Sequence, residues 1–198
     1  MGKILSPSFY LSPTLEVSRA LLGKRLVRVE ADGTRTSGLI VETEGYVGME
    51  DLGCHARSGK TARNASMWGR GGLAYVYFTY GMHWMLNAVT EREGFPSAVL
   101  IRAVVPEEGI ALMRARRGGL KDKILADGPA KLTQAFAIGK NLDGIDLCDP
   151  ASPLFIEEGA AVLSKNISTH PRVGLFSVPE PWKSIPWNFK IRHVEVKR

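Results

Sequence analysis

GLAYVYFTYGMHWMLNAV, Gly72 to Val89, decides how the rest of the chain is read. It reads as two strands around one tight turn, and the turn is Tyr80-Gly81. A hairpin tip normally carries small polar residues because it stands in water. Here the tip is a tyrosine, with Met82, His83 and Trp84 just behind it. The stretch predicts antiparallel pairing and an exposed ring whose purpose the rest of the chain has to supply.

Upstream, Lys24 to Glu30 alternates Leu26, Val27 and Val29 with charges and reads as a strand, and Ala31-Asp32-Gly33 is a turn signal. Ser37 to Tyr46 is a further strand with the apolar centre Leu39-Ile40-Val41. Ser12-Pro13 has the pattern of a helix start that Gly23 closes. Residues 47–71, rich in Gly, Arg, Lys and Ser, form a long loop of the kind that is functional or disordered. Downstream, Ser97 to Val105 is a very apolar strand. Pro106-Glu107-Glu108 then predicts a helix start, with Arg114, Arg116 and Arg117 at its far end as the helix dipole favours. Gly128-Pro129 opens another helix, which Gly139 is expected to end. The last third, 147–198, has short strand candidates and many prolines. Strands outnumber crossover helices. The expected fold is α+β: a single domain, 1–198, with a curved, mainly antiparallel sheet flanked by helices and a protruding β-hairpin.

Composition sets the outer bounds. The 198 residues are 44% hydrophobic and 23% charged, enough apolar side chains for a real core. The net charge of +6 favours polyanionic partners such as nucleic acid, and a merely basic protein fits the charge equally well. Cys54 and Cys148 stand far apart, which is neither a disulfide framework nor zinc spacing, and a reducing compartment is expected. No signal peptide and no membrane-length apolar run is expected.

Several residues do not fit a plain core. Glu42 and Glu44 share one face of the strand LIVETEGY. Arg102 lies inside AVLIRAVV, where an unpaired charge costs several kcal/mol, so Glu42 or Glu44 is its natural partner. Such a cluster reads either as a structural ion pair or as a carboxylate used as a general base. Tyr46, His55 and Tyr77 read as ordinary packing, or as a slot for a planar ligand such as a nucleobase. The loop ARSGKTARNASMWGRGG carries Arg57, Lys60, Arg63 and Arg70. Its Gly59-Lys60-Thr61 falls short of a phosphate-binding loop, because Cys54 stands where the first glycine is required. The loop reads as a segment for phosphate-backbone contacts or as a solvated loop. Asn87, late in the second hairpin strand, either reads a base edge or bonds backbone.

The blocks IVETEGYVGMEDLGCHA (40–56), TARNASM (61–67), AYVYFTYGMHWMLN (74–87), VLIRAVVPEEG (99–109) and DGPAKLTQAFAI (127–138), with PRVGL and PWNFKI near the end, resemble the alkyladenine (3-methyladenine) DNA glycosylases of the methylpurine type. The resemblance runs from about Ser12 to the C-terminus. It implies base-excision repair: hydrolysis of the N-glycosidic bond of alkylated purines such as 3-methyladenine and 7-methylguanine, and of hypoxanthine, by base flipping and water attack. It implies that Glu44 deprotonates the attacking water, which Arg102 and the backbone carbonyl of Val173 help to hold. Tyr46, His55 and Tyr77 would form the pocket for the flipped base, with Asn87 at the purine edge excluding bases with an extra amino group. Tyr80 would intercalate, which gives the aromatic tip its purpose, and Lys60, Thr61, Arg63, Met82 and Lys131 would meet the DNA backbone. Gly45 stands where an alanine is common, and it is expected to loosen the strand. The implied enzyme is monofunctional, since no lysine is placed as a Schiff-base nucleophile. It needs no metal or organic cofactor. It is a monomer acting on double-stranded DNA with damaged purines, away from membranes, and it is cytoplasmic and nucleoid-associated in a bacterial cell or nuclear in a eukaryotic one. The rival reading is a non-catalytic basic nucleic-acid-binding module.

Overall fold

The computed structural model describes residues 2–192, so the expected domain bounds, 1–198, extend beyond the described residues at both ends. Two short helices, α1 (Pro7–Tyr10) and α2 (Thr14–Ala20), precede β1 (Arg25–Val29) and the long β2 (Arg35–Val47). The hairpin follows as β3 (Ala74–Thr79) and β4 (His83–Val89), then β5 (Ser97–Glu108). Helices α3 (Ile110–Arg116) and α4 (Pro129–Ala135) lead to β6 (Leu154–Glu157), β7 (Ile167–His170) and β8 (Asn188–Ile191).

These strands make one 8-stranded sheet, ordered β3-β4-β5-β2-β1-β6, with β8 joining β2 and β7 joining β8. Every named strand pairing is antiparallel, so the expected α+β class holds. β2 is long enough, at 13 residues, to serve two partners along one edge. β1 covers Arg35 to Leu39 and β8 covers Glu42 to Glu44. One sheet face buries Ala74, Val76, Leu86, Ala88, Val99 and Ile101 against Val17, Leu132 and Phe136 of the helical layer. On the other face, Cys54, Ala56 and Met67 of the loop 47–71 pack on Tyr75, Val89 and Ala98 of the sheet in a smaller cluster. That loop contains two 3-10 turns, His55–Ser58 and Ala65–Trp68. Among the described residues no helix is long and apolar enough to cross a membrane. Both cysteines are free.

Three element boundaries differ from the sequence reading. Pro106-Glu107-Glu108 does not start a helix: β5 runs through them, and α3 begins after Gly109. Ion pairs across the sheet hold this end extended, Glu107 to Arg25 at 2.6 Å and Glu108 to Arg35 at 2.8 Å. Helix α4 starts at Pro129 as expected but ends at Ala135 rather than near Gly139. Ala137 turns left-handed (φ 50), and the Ile138 N–H reaches back to the Thr133 carbonyl at 2.8 Å. This is a Schellman stop with buried Ile138 as its apolar residue, formed without glycine. Helix α2 starts at Thr14, with Pro13 rather than Ser12 flanking it.

A Cβ at Gly45 would come within 2.7 Å of Leu15 Cδ2 and 3.1 Å of Ser18 Oγ, so this glycine sits directly against side chains of α2.

Candidate active site

The hairpin turn has Tyr80 at φ 52 and Gly81 at φ 67, the two positive values of a type I′ turn. Asn or Gly normally fills the first position, and a tyrosine there is strained. Tyr80 is 78% exposed, so no packing in the protein offsets that strain. β5 pairs with β4 only from Asn87 to Val89, which leaves the turn end of the hairpin beyond the sheet.

Sheet register builds the site below the hairpin. Tyr75 lies opposite Asn87, Asn87 opposite Leu100, Leu100 opposite Glu44, and Glu44 opposite Asn188. One transverse row therefore carries residues from β3, β4, β5, β2 and β8. Where β2 meets β5, the register shifts on both sides of Glu42, leaving Val41 and Arg102 without a direct partner. Bulges re-aim side chains, and this one sits at the charged residue of an apolar strand.

Arg102 turns to the two carboxylates. Its Nε donates to Glu42 Oε1 at 2.8 Å, and its Nη1 donates to Glu44 Oε2 at 3.2 Å. Both candidate partners are thus used. Glu44 is wholly buried, and each contact made to it is a donor. The Tyr46 hydroxyl (2.9 Å) and Arg102 reach Oε2, while the Val173 N–H (2.7 Å) and Asn188 Nδ2 (3.0 Å) reach Oε1. Four donors match the acceptor capacity of an ionised carboxylate. Asn188 Nδ2 also reaches Glu42 Oε1 at 3.0 Å, tying the pair together. Burial pushes the Glu42 carboxyl up, but hydrogen bonds from Asn188 and Arg102, with the Arg102 and Lys190 charges, outweigh it and leave its pKa below the usual value. Burial, then the Glu44 charge, raises the Tyr46 hydroxyl well above its ordinary value, so it remains a donor.

Above this cluster lies a cavity of about 300 Å³, walled by Tyr46, His55, Tyr75, Tyr77, Asn87 and Arg102, with Tyr80 and Val173 also at its boundary. Glu44 lies one layer beneath, behind Tyr46, Arg102 and Val173. The His55 ring meets Tyr77 edge-on, with centroids 4.5 Å apart, and its Nδ1 is 2.9 Å from the Tyr75 hydroxyl. Loss of water over its covered faces, then the nearby Arg63 and Arg57 charges, lowers the His55 pKa to about 4. The ring is therefore neutral near pH 7. Burial raises the Tyr77 hydroxyl to about 12. Asn87 commits its amide nitrogen to the Tyr75 carbonyl at 3.0 Å, so it bonds backbone, and it also lines the cavity.

A family model described as methylpurine-DNA glycosylase (MPG) matches residues 8–195. The chain belongs to the methylpurine-DNA glycosylase family. It is similar to a protein of Chlorobaculum parvum named "Putative 3-methyladenine DNA glycosylase", 45% identical over 91% of this chain and 86% of that one. Proteins with the same name from Methanocella arvoryzae (47% identical over 91% of this chain and 90% of that one) and Carboxydothermus hydrogenoformans (43%, over 96% of each) are also similar.

In this member of the methylpurine-DNA glycosylase family, Glu44, Arg102, Val173, Tyr46, His55, Tyr77, Asn87 and Tyr80 converge on the cavity or the layer beneath it. The Val173 contact with Glu44 runs through its N–H. Lys60 and Thr61 are exposed on the loop, and Met82 is exposed beside Tyr80. Arg63 and Lys131 have partners within the protein. Arg63 donates to the Phe78 carbonyl at 3.1 Å and lies over the Tyr77 ring, and Lys131 pairs with Asp127 at 2.9 Å. The sequence reading did not single out Asn188, Tyr75 or the Asp51–Arg172 pair. A lone Asn in the run Trp187-Asn188-Phe189 was the available signal for the first. Arg172 donates to both Asp51 oxygens (2.5 and 2.7 Å), and its guanidinium lies over the rings of Tyr46 and Trp187 at 4.7 and 5.0 Å. That pair fixes the ring of Tyr46 from behind, and nothing local in the sequence announces it.

Proposed function

We propose that this chain is a monofunctional DNA glycosylase that hydrolyses the N-glycosidic bond of alkylated purines, 3-methyladenine and 7-methylguanine foremost and hypoxanthine as a further substrate. It would act as a monomer on damaged double-stranded DNA. The observation that carries this reading is the buried, four-donor Glu44 beneath an aromatic-walled cavity with a strained, exposed tyrosine at its mouth. Family membership and the relatives' names point the same way.

The roles follow from placement. Tyr80 enters the duplex and fills the space of the extruded nucleotide; flipping costs a few kcal/mol, and stacking contributes about 1–3 kcal/mol against it. The extruded purine sits among Tyr46, His55 and Tyr77. Asn87, its amide held by the Tyr75 carbonyl, stands at the purine edge and discriminates against an extra amino group. Glycosidic cleavage builds positive charge on the sugar, and the Glu44 carboxylate both offsets it and takes the proton of the attacking water. The Tyr46, Arg102 and Asn188 donors sit on strands, whereas Val173 lies on an exposed segment. Water reaches Glu44 in place of, or beside, the Val173 N–H. An alkylated purine leaves as an already cationic base, so little acid assistance is needed. Lys60, Thr61, Arg63, Met82 and Lys131 lie towards the DNA backbone.

The test is incubation of the protein with methylated duplex DNA. Free 3-methyladenine and 7-methylguanine, with the strand intact until alkali is added, is the expected result. Retained bases with tight DNA binding would favour the non-catalytic module.

A further inference from the structure

The most exposed large hydrophobic side chains among the described residues are Phe176 (83%) and Tyr80 (78%). Scattered surface apolar residues need no explanation. Tyr80 lines a cavity from the hairpin, and Phe176 directly follows Val173, Gly174 and Leu175, which line the same cavity from another part of the chain.

The segment bearing Phe176 is pinned on both sides. Before it, Arg172 is buried on Asp51, and the Val173 N–H is bonded to Glu44. After it, Val178 is buried, and its N–H returns to the Leu175 carbonyl at 3.1 Å. A phenyl ring held out of the protein from a tethered loop has no polar atom to gain from water. Its surface is removed from water only by something that arrives at the cavity mouth.

We propose that Phe176 is a second apolar DNA contact, opposite Tyr80, that packs against the sugar and base edge next to the extruded nucleotide. This rests on the glycosylase reading and extends it. Tyr80 fills the gap inside the stack, and Phe176 braces the duplex on the far side of the cavity mouth. Apolar wedges of this kind hold a kinked duplex in minor-groove binders. The contact belongs to the bound complex and not to the chemical step, so it acts on affinity and on release of the abasic product.

The test compares wild type, Phe176→Ser and Phe176→Trp. Binding is read by fluorescence anisotropy on a duplex with one stable abasic analogue and on the matching single strand. Base release from methylated duplex is read under single-turnover conditions with protein in excess. Phe176→Ser should bind the abasic duplex roughly tenfold more weakly, the size of one lost aromatic contact. Phe176→Trp should restore that binding. The single-turnover rate of Phe176→Ser at saturation should stay within about twofold of wild type, since no Glu44 contact changes. Phe176→Ser binding as tightly as wild type, or an equal loss on duplex and single strand, would overturn the proposal. If wild type binds the abasic duplex but releases no base, the catalytic reading fails while the binding comparison still decides the role of Phe176. If wild type binds neither DNA, both readings fall.

Discussion

Two of the buried carboxylate–arginine clusters among the described residues, Glu44 with Arg102 and Asp51 with Arg172, differ in their neighbours. Asp51 accepts from Arg172 twice and from the backbone N–H groups of Val47 (3.1 Å) and Gly53 (2.9 Å). Glu44 likewise accepts from four donors. Burial and saturation are the same. However, Tyr46, Arg102 and Val173, three of the donors to Glu44, line the cavity, and none of the donors to Asp51 does. Two of the Asp51 donors come from its own tight turn, the arrangement of a structural tether. Glu44 draws its donors from separate strands and an exposed loop, which suits a group that has to meet a ligand. Buried ion pairing alone therefore does not mark chemistry; access does.

The largest expected effect tests the tether. Asp51→Asn leaves Arg172 buried without its counter-charge and should cost about 3–5 kcal/mol in urea unfolding. A loss under about 1 kcal/mol would show that the Asp51 cluster is not structural in the sense argued. Next, Tyr46→Phe removes one hydrogen bond to the Glu44 carboxylate. Such bonds contribute about 1.5–3 kcal/mol, so the variant should lose about that much in urea unfolding. Unchanged stability would mean that this donor does not hold the Glu44 carboxylate.

Tyr80→Asn separates stability from function. Asparagine suits the left-handed position, so unfolding should become harder by about 1 kcal/mol. Affinity for lesion DNA should fall by about 1–3 kcal/mol as the stacking contact is lost. A variant that loses stability, or that keeps full affinity, would contradict the view of Tyr80 as a strained wedge.

The last test concerns the titration of His55. Its pKa falls to about 4 in the folded protein, against about 6.5 for a free imidazole. Between those values the unfolded chain holds the proton and the native protein does not, so stability declines as pH drops from about 6.5 to 4. Above and below that window His55 contributes no slope. Melting temperature against pH should therefore be flatter for His55→Gln, and identical curves would show that the ring is not held neutral.

The same contrast explains what was legible in the sequence. The hairpin, the Glu42–Glu44 face and the misfit of Arg102 are local patterns of period two, readable from neighbouring residues alone. The resemblance then gave roles to Tyr46, His55, Tyr77 and Asn87, which the sheet and the loop 47–71 bring to one cavity. The end of β5 was misread because proline followed by two acids imitates a helix start, while Arg25 and Arg35, which hold it extended, are remote in sequence. The end of α4 was misplaced because Ala137 takes a turn usually given to glycine. Asn188 and the Asp51–Arg172 pair stayed hidden, since their meaning comes from partners more than a hundred residues away.

The most direct measurement is single-turnover base release from methylated duplex DNA by wild type and Glu44→Gln, with DNA affinity measured alongside. The account predicts release by wild type, a loss of at least roughly 100-fold in the variant, as for removal of a general base, and unchanged affinity. Release by Glu44→Gln at the wild-type rate would contradict it and reduce the cluster under the cavity to structure, like its counterpart at Asp51.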